Sequence, residues 1–125
     1  MVLESGLNTL SRKMEKITIN ENVSGLLLYA VLEQEQPTYL KEWLVLVSKV
    51  EKNEMLHCYH FNYFFCVDLS NGRAYISVDG ERGWGFTYGY TFYKPTEEQK
   101  KRVVKDIRNR GYKYISSLKK LVKKI

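Results

Sequence analysis

The sequence predicts an α+β domain with an N-terminal helical segment, a three- to four-stranded antiparallel meander and a long basic amphipathic C-terminal helix packed on the sheet. Three observations predict it. Between Leu56 and Tyr93 hydrophobicity alternates with the period of two that side chains keep along a strand. An Asn71-Gly72 pair interrupts that run where a tight hairpin needs positive φ. From Thr96 onward apolar residues recur three and four apart, as on one face of a helix.

Taken in order, residues 1–16 place Leu3, Leu7, Leu10 and Met14 at helical spacing, but Gly6 and its polar neighbours weaken that helix, so its first turns are expected to fray. The run from Val23 to Leu32 is apolar nearly all round and follows Asn20, Asn22 and Ser24 as candidate caps. It reads as a buried helix within residues 19–36, with a buried strand as the alternative, because periodicity does not separate the two in so short a run. Pro37 ends the element either way. Thr38 to Trp43 reads as a capped helical turn, and the β-branched run Leu44 to Val50 as a strand. Lys52-Asn53-Glu54 then turns the chain into the strand Met55 to Leu69.

A two-residue Asn71-Gly72 loop sets Ser70 opposite Arg73, and hence Leu69 opposite Ala74, Val67 opposite Ile76 and Phe65 opposite Val78, all on one face. The other face receives Asp68 with Tyr75, Cys66 with Ser77 and Phe64 with Asp79, a more polar set. After the turn Asp79-Gly80-Glu81-Arg82-Gly83, the segment Trp84 to Phe92 is aromatic at every even position and Gly or Thr at every odd one. It is expected to be a single strand with rings on one side and a nearly bare backbone on the other.

The last element begins at Thr96, where Thr96-Glu97-Glu98-Gln99 has the form of a capping box and Pro95 stands just outside. Val104, Ile107, Gly111, Ile115, Leu118, Val122 and Ile125 continue one seam. Its unbroken phase favours one helix, roughly 43 Å long at about 1.5 Å per residue, over two divided at Gly111. A glycine in the seam would let that helix approach the Gly-Thr side of the third strand.

A chain of 125 residues suits one domain, residues 1–125, able to bury a core without disulfides or metal. The net charge of +6 is unevenly placed: residues 97–125 hold 11 Lys or Arg against 3 acids, and the rest hold 9 against 11. Basic character is thus a property of the C-terminal segment. Cys58 and Cys66, eight residues apart on one strand, are too distant to bridge. With no leader and no apolar run of membrane-spanning length, a cytoplasmic protein with reduced thiols is expected.

The leading functional expectation is a non-enzymatic nucleic-acid-binding module without a cofactor. Lys101, Arg102, Lys105, Arg108, Arg110, Lys113, Lys119, Lys120, Lys123 and Lys124 would contact phosphates from the C-terminal helix. Trp84 and Tyr88, in the stripe with Phe86, Tyr90 and Phe92, would stack bases beside Arg82. Rings at strand spacing equally form half of a core, and a basic helix face equally serves as a solvated surface. The alternative function is a small protein-interaction or inhibitor module that meets an acidic protein surface through the same cations. His57, Cys58, His60 and Cys66 are strung along an extended strand and do not match the tight spacing of zinc ligands. Asp68 and Asp79 stand too far apart for one divalent ion, roughly 13 Å along the sheet. His60, Asn62 and Asp68 remain candidates to line a ligand pocket, and no phosphate-binding loop or nucleophile elbow occurs.

Overall fold

The computed structural model describes residues 14–32, 41–55, 57–81, 83–86 and 89–124, without the side chains of Glu21, Lys41, Cys58 and residues 83–86. Within these residues the chain is mostly β. A 3-10 turn (Glu21–Val23) leads to strands β1 (Leu27–Leu32), β2 (Lys41–Asn53), β3 (Cys58–Asp68), β4 (Ala74–Ile76), β5 (Gly83–Phe86) and β6 (Tyr90–Tyr93). Helix α1 (Glu97–Asn109) and the hairpin of β7 (Tyr112–Ile115) and β8 (Lys120–Lys123) follow. The main sheet is antiparallel in the order β4-β3-β2-β1-β6, and β5 takes the edge of β3 beyond β4.

The path from β5 to β6 shows how strongly this sheet curls. β5 lies beside β3 and β6 beside β1, at opposite edges, yet residues 87–89 alone connect them. In a flat sheet those edges would stand about 19 Å apart at roughly 4.8 Å per strand, whereas four residues reach about 14 Å at most. The sheet therefore bends back on itself towards a barrel. Phe61 of β3 and Phe92 of β6 meet across the concave side edge to face, with ring centroids 6.2 Å apart. The bend is built into the long central pair, where register shifts fall between Leu46, Val47 and Lys49 and leave Ser48 and Phe64 out of step with their partners.

Both faces of the sheet are covered. The concave side buries Leu28, Ala30, Val45, Val47, Phe61, Cys66 and Phe92, capped by Val23, Ile17 and Ile19. The convex side buries Tyr29, Val31, Leu44, Leu46, Phe65 and Val67 beneath Val103 and Ile107 of α1 and Leu121 of β8. The Tyr29 hydroxyl, buried there, donates to the Glu42 carboxylate, and burial pushes this phenol well above its ordinary range.

Several sequence expectations are overturned. The run within 19–36 is not a helix: residues 21–23 form one 3-10 turn and Leu27–Leu32 form β1. β1 is a central strand covered on both faces, which removes the polar alternation that would have marked it as β. The helical turn near Trp43 is absent where described, since β2 already begins at Lys41; residues 38–40 and residues 1–13 of the helix expected over 1–16 lie outside the described residues, and residues 14–16 are not helical, Lys16 instead forming a β-bridge with Tyr93. The third strand is two, β5 and β6, serving opposite edges, so the sheet is not a simple meander.

The hairpin turn is longer than two residues. The Asp68 N–H donates to the Arg73 carbonyl and the Gly72 N–H to the Asp68 carbonyl, with Gly72 at φ +74°. Phe65 therefore pairs with Ile76 and Val67 with Ala74. A two-residue slip preserves the faces, so Phe65, Val67, Leu69, Ala74 and Ile76 still share one core.

The long C-terminal helix does not exist. α1 starts as expected: the Thr96 side chain accepts from the Gln99 N–H at 3.1 Å, and the Gln99 side chain accepts from the Thr96 N–H at 2.9 Å. It ends at Asn109, because Gly111 adopts φ +86° and turns the chain into β7. The seam fails within the helix too, where Val103 and Ile107 are buried and Val104 is 55% exposed. No helix packs against a Gly-Thr strand face through Gly111, which lies beyond the helix.

Candidate functional site

The cations singled out from sequence are divided between two elements on the convex side. Lys101, Arg102, Lys105 and Arg108 sit on the solvent side of α1, opposite the buried Val103 and Ile107. Arg110 closes the helix and reaches the Ala74 carbonyl with a guanidinium nitrogen at 3.4 Å. Lys113, Lys119, Lys120, Lys123 and Lys124 belong to the hairpin or its end, and all are exposed. α1 and β7 are in direct contact. The two elements thus form one outer layer.

Strand alternation sorts the hairpin's side chains. Tyr114 lies opposite Leu121 and Tyr112 opposite Lys123, and Tyr112, Tyr114 and Leu121 pack towards the sheet. Tyr114 is held at 5.7 Å from the Phe64 ring, and its hydroxyl donates to the Gly25 carbonyl at 3.2 Å. The outward face carries the other two cross-strand pairs, Lys113 with Val122 and Ile115 with Lys120. The turn between the strands places Lys119 at φ +49°, its stem lying over Gly25, and leaves Leu118 60% exposed.

Few of these charges are neutralised. Glu97 meets Lys100 at 3.2 Å and Asp106 meets Arg102 at 3.9 Å, both across the helix surface. From Arg110 to Lys124 there are six cations and no acid. Among the described residues no carboxylate pairs with Lys101, Lys105, Arg108 or any hairpin lysine. Ten of the thirteen singled-out residues are therefore gathered on this layer.

The other three are not. Arg82 and Tyr88 lie outside the described residues. Trp84 is placed by its backbone on β5, paired with Asn62. Two further members of the expected stripe belong to the core: Phe92 is buried, and Tyr90 packs on it at 6.1 Å in the concave cluster. A separate aromatic group stands at that side, Trp43 with Tyr75 at 6.4 Å, and it exists because Trp43 lies on β2 and not in the expected helical turn. The indole N–H of Trp43 is buried and has no hydrogen-bond partner among the described residues.

Among the described residues His60, Asn62 and Asp68 are engaged by separate partners. His60 Nε2 contacts the Glu51 carboxylate at 2.9 Å, and Glu51, held below the usual carboxylate range chiefly by Lys49 and then by His60, also meets the Lys49 ammonium at 2.7 Å. Asn62 donates to the Glu81 carbonyl at 2.9 Å. Asp68 is buried and accepts from both the backbone and the hydroxyl of Ser70, at 2.9 and 2.6 Å, which locks the hairpin turn. Asp79 accepts from Ser77 and from the Glu81 N–H, each at 3.0 Å. Among the described residues no group of three or more His, Cys, Asp or Glu could hold a metal ion.

One groove of about 360 Å³ lies where the segment before β1 meets the start of α1, with Ile17, Leu26, Leu27 and Pro95 as its apolar floor and Glu15, Lys94 and Lys100 at its rim. Its rim carries one carboxylate and two ammonium groups, of which Lys100 is already paired with Glu97 at 3.2 Å. No helix among the described residues is long and apolar enough to cross a membrane. Comparison with known protein families, curated proteins and solved structures finds no match to this chain.

Proposed function

We propose that this protein is a nucleic-acid-binding module that grips phosphates through the outer layer of α1 and the β7–β8 hairpin. The observation that carries this reading is the run of six cations with no acid from Arg110 to Lys124, five of them exposed lysines without an ion pair to any described residue. Such an array neutralises consecutive phosphates and releases their counterions, giving affinity that is independent of sequence and steep in salt. Base stacking by Tyr90 and Phe92 has no place in this reading, since both rings are committed to the concave core.

Fluorescence anisotropy with labelled oligonucleotides tests it. Wild-type protein binds at low salt with micromolar or tighter affinity, and Lys119→Glu/Lys120→Glu/Lys123→Glu abolishes binding while leaving the far-UV spectrum unchanged. Absence of binding at low salt removes the reading. A second reading, docking on an acidic protein surface, draws on Leu118, an exposed apolar side chain set among lysines at the hairpin turn. Pull-down of an acidic protein by the full chain, lost in Leu118→Ser, would favour it.

A further inference from the structure

We propose that the outer face of the β7–β8 ribbon seats in the major groove of double-stranded DNA. This deepens the nucleic-acid reading and rests on it. The ribbon's inner face is fixed to the sheet by Tyr112, Tyr114 and Leu121, so the outer face is presented on a rigid support. That outer face holds two lysines and two aliphatic residues in a diagonal arrangement, Lys113 beside Val122 and Ile115 beside Lys120. Lysine donates to the guanine O6 and N7 acceptors that line the major groove, and aliphatic side chains contact the thymine methyl group there.

The dimensions agree. Two strands about 4.8 Å apart with their side chains fit a groove about 12 Å wide, and four residues at roughly 3.4 Å each span about four base pairs. The major groove of A-form RNA is too narrow and deep for side chains to read, so the same ribbon discriminates against duplex RNA. Stacking on single strands needs exposed rings, and both described rings of the ribbon face the sheet. The absence of any acid from Arg110 to Lys124 supplies the charge complementarity. Exposed cations of α1, on the same layer, are left for the flanking phosphates.

The test uses the full chain with a 20-base-pair DNA duplex, the RNA duplex of the same sequence and one DNA strand, followed by dimethyl sulfate probing of guanine N7 on the DNA duplex. The proposal expects the DNA duplex to bind about tenfold or more tightly than either competitor, with N7 protected. Lys113→Ala/Lys120→Ala removes the protection, whereas Lys101→Ala/Lys105→Ala weakens binding and leaves protection at saturating protein intact. Equal affinity for the three ligands, or binding without N7 protection, overturns groove insertion and leaves phosphate binding standing. Failure to bind any of them overturns the nucleic-acid reading itself.

Discussion

Replacing Gly80 by alanine separates backbone strain from crowding in the turn that connects β4 to β5. Gly80 has φ +70°, and a Cβ built there would lie 2.6 Å from the Phe64 ring and closer still to the Ser48 hydroxyl. Ser48 and Phe64 are the two residues left out of register where β2 and β3 bend, so neither moves without disturbing the bend. The left-handed conformation costs alanine about 1–2 kcal/mol, and forcing a methyl group into a filled site adds about 1–3 kcal/mol. The expected loss is therefore about 2–5 kcal/mol, a large fraction of the roughly 5–15 kcal/mol that holds a domain folded. Gly72 is the matched control: its φ is +74°, but a Cβ there meets nothing within 4 Å, so Gly72→Ala loses the strain contribution alone. Urea unfolding reads both. With a slope of about 2 kcal/mol per molar, Gly80→Ala lowers the midpoint by roughly 1–2.5 M and Gly72→Ala by no more than about 1 M. Equal shifts for the two variants would refute the crowding of Gly80 against Ser48 and Phe64.

Three further outcomes follow from the same geometry. Thr96→Ala removes one half of the capping box and is expected to cost about 0.5–2 kcal/mol, measured by thermal unfolding, with Thr96→Ser retaining most of the stability. Phe61 and Phe92 meet only because the sheet curls, so a Phe61→Leu/Phe92→Leu double-mutant cycle should give a coupling of about 0.5–1.5 kcal/mol, and strict additivity would deny the contact. Burial pushes the Cys66 thiol up from 9.0 to about 11. The native state then holds this proton more tightly than the unfolded chain does. The stabilisation is present in full below pH 9 and is lost between about pH 9 and 11, on the order of 3 kcal/mol, relative to a Cys66→Val reference that does not ionise. Parallel pH profiles for the two proteins would contradict it.

The legible parts of the fold were those whose signal is local. Thr96 to Gln99 announced the helix start because both hydrogen bonds of the box lie within four residues. Asn71-Gly72 located a hairpin but not its length, since the Asp68 side chain captures Ser70 and widens the turn. β1 was hidden because Leu28, Tyr29, Ala30 and Val31 are all buried, so no polar alternation survives. The C-terminal hairpin was hidden for a different reason. Its strands are four residues each, and the apolar spacing from Ile107 through Gly111 to Ile115 stays in helical phase by coincidence while Gly111 ends the helix. Charge was easier to read than placement: the excess of Lys and Arg after residue 97 is plain, but its division between a helix and a ribbon depends on that glycine. The exposed Leu118 and the groove beside Leu26 carried no sequence signal, because an apolar residue in water looks the same as one in a core.

The salt dependence of DNA binding tests the phosphate-gripping layer most directly. If four to six of the cations on α1 and the hairpin each meet a phosphate, a plot of log affinity against log salt concentration falls with a slope of roughly −4 to −5. Lys119→Ala/Lys123→Ala/Lys124→Ala should reduce the magnitude of that slope by about 2 to 3 while the protein remains folded. A slope near zero, or one unchanged by the triple substitution, would contradict the assignment of binding to this layer.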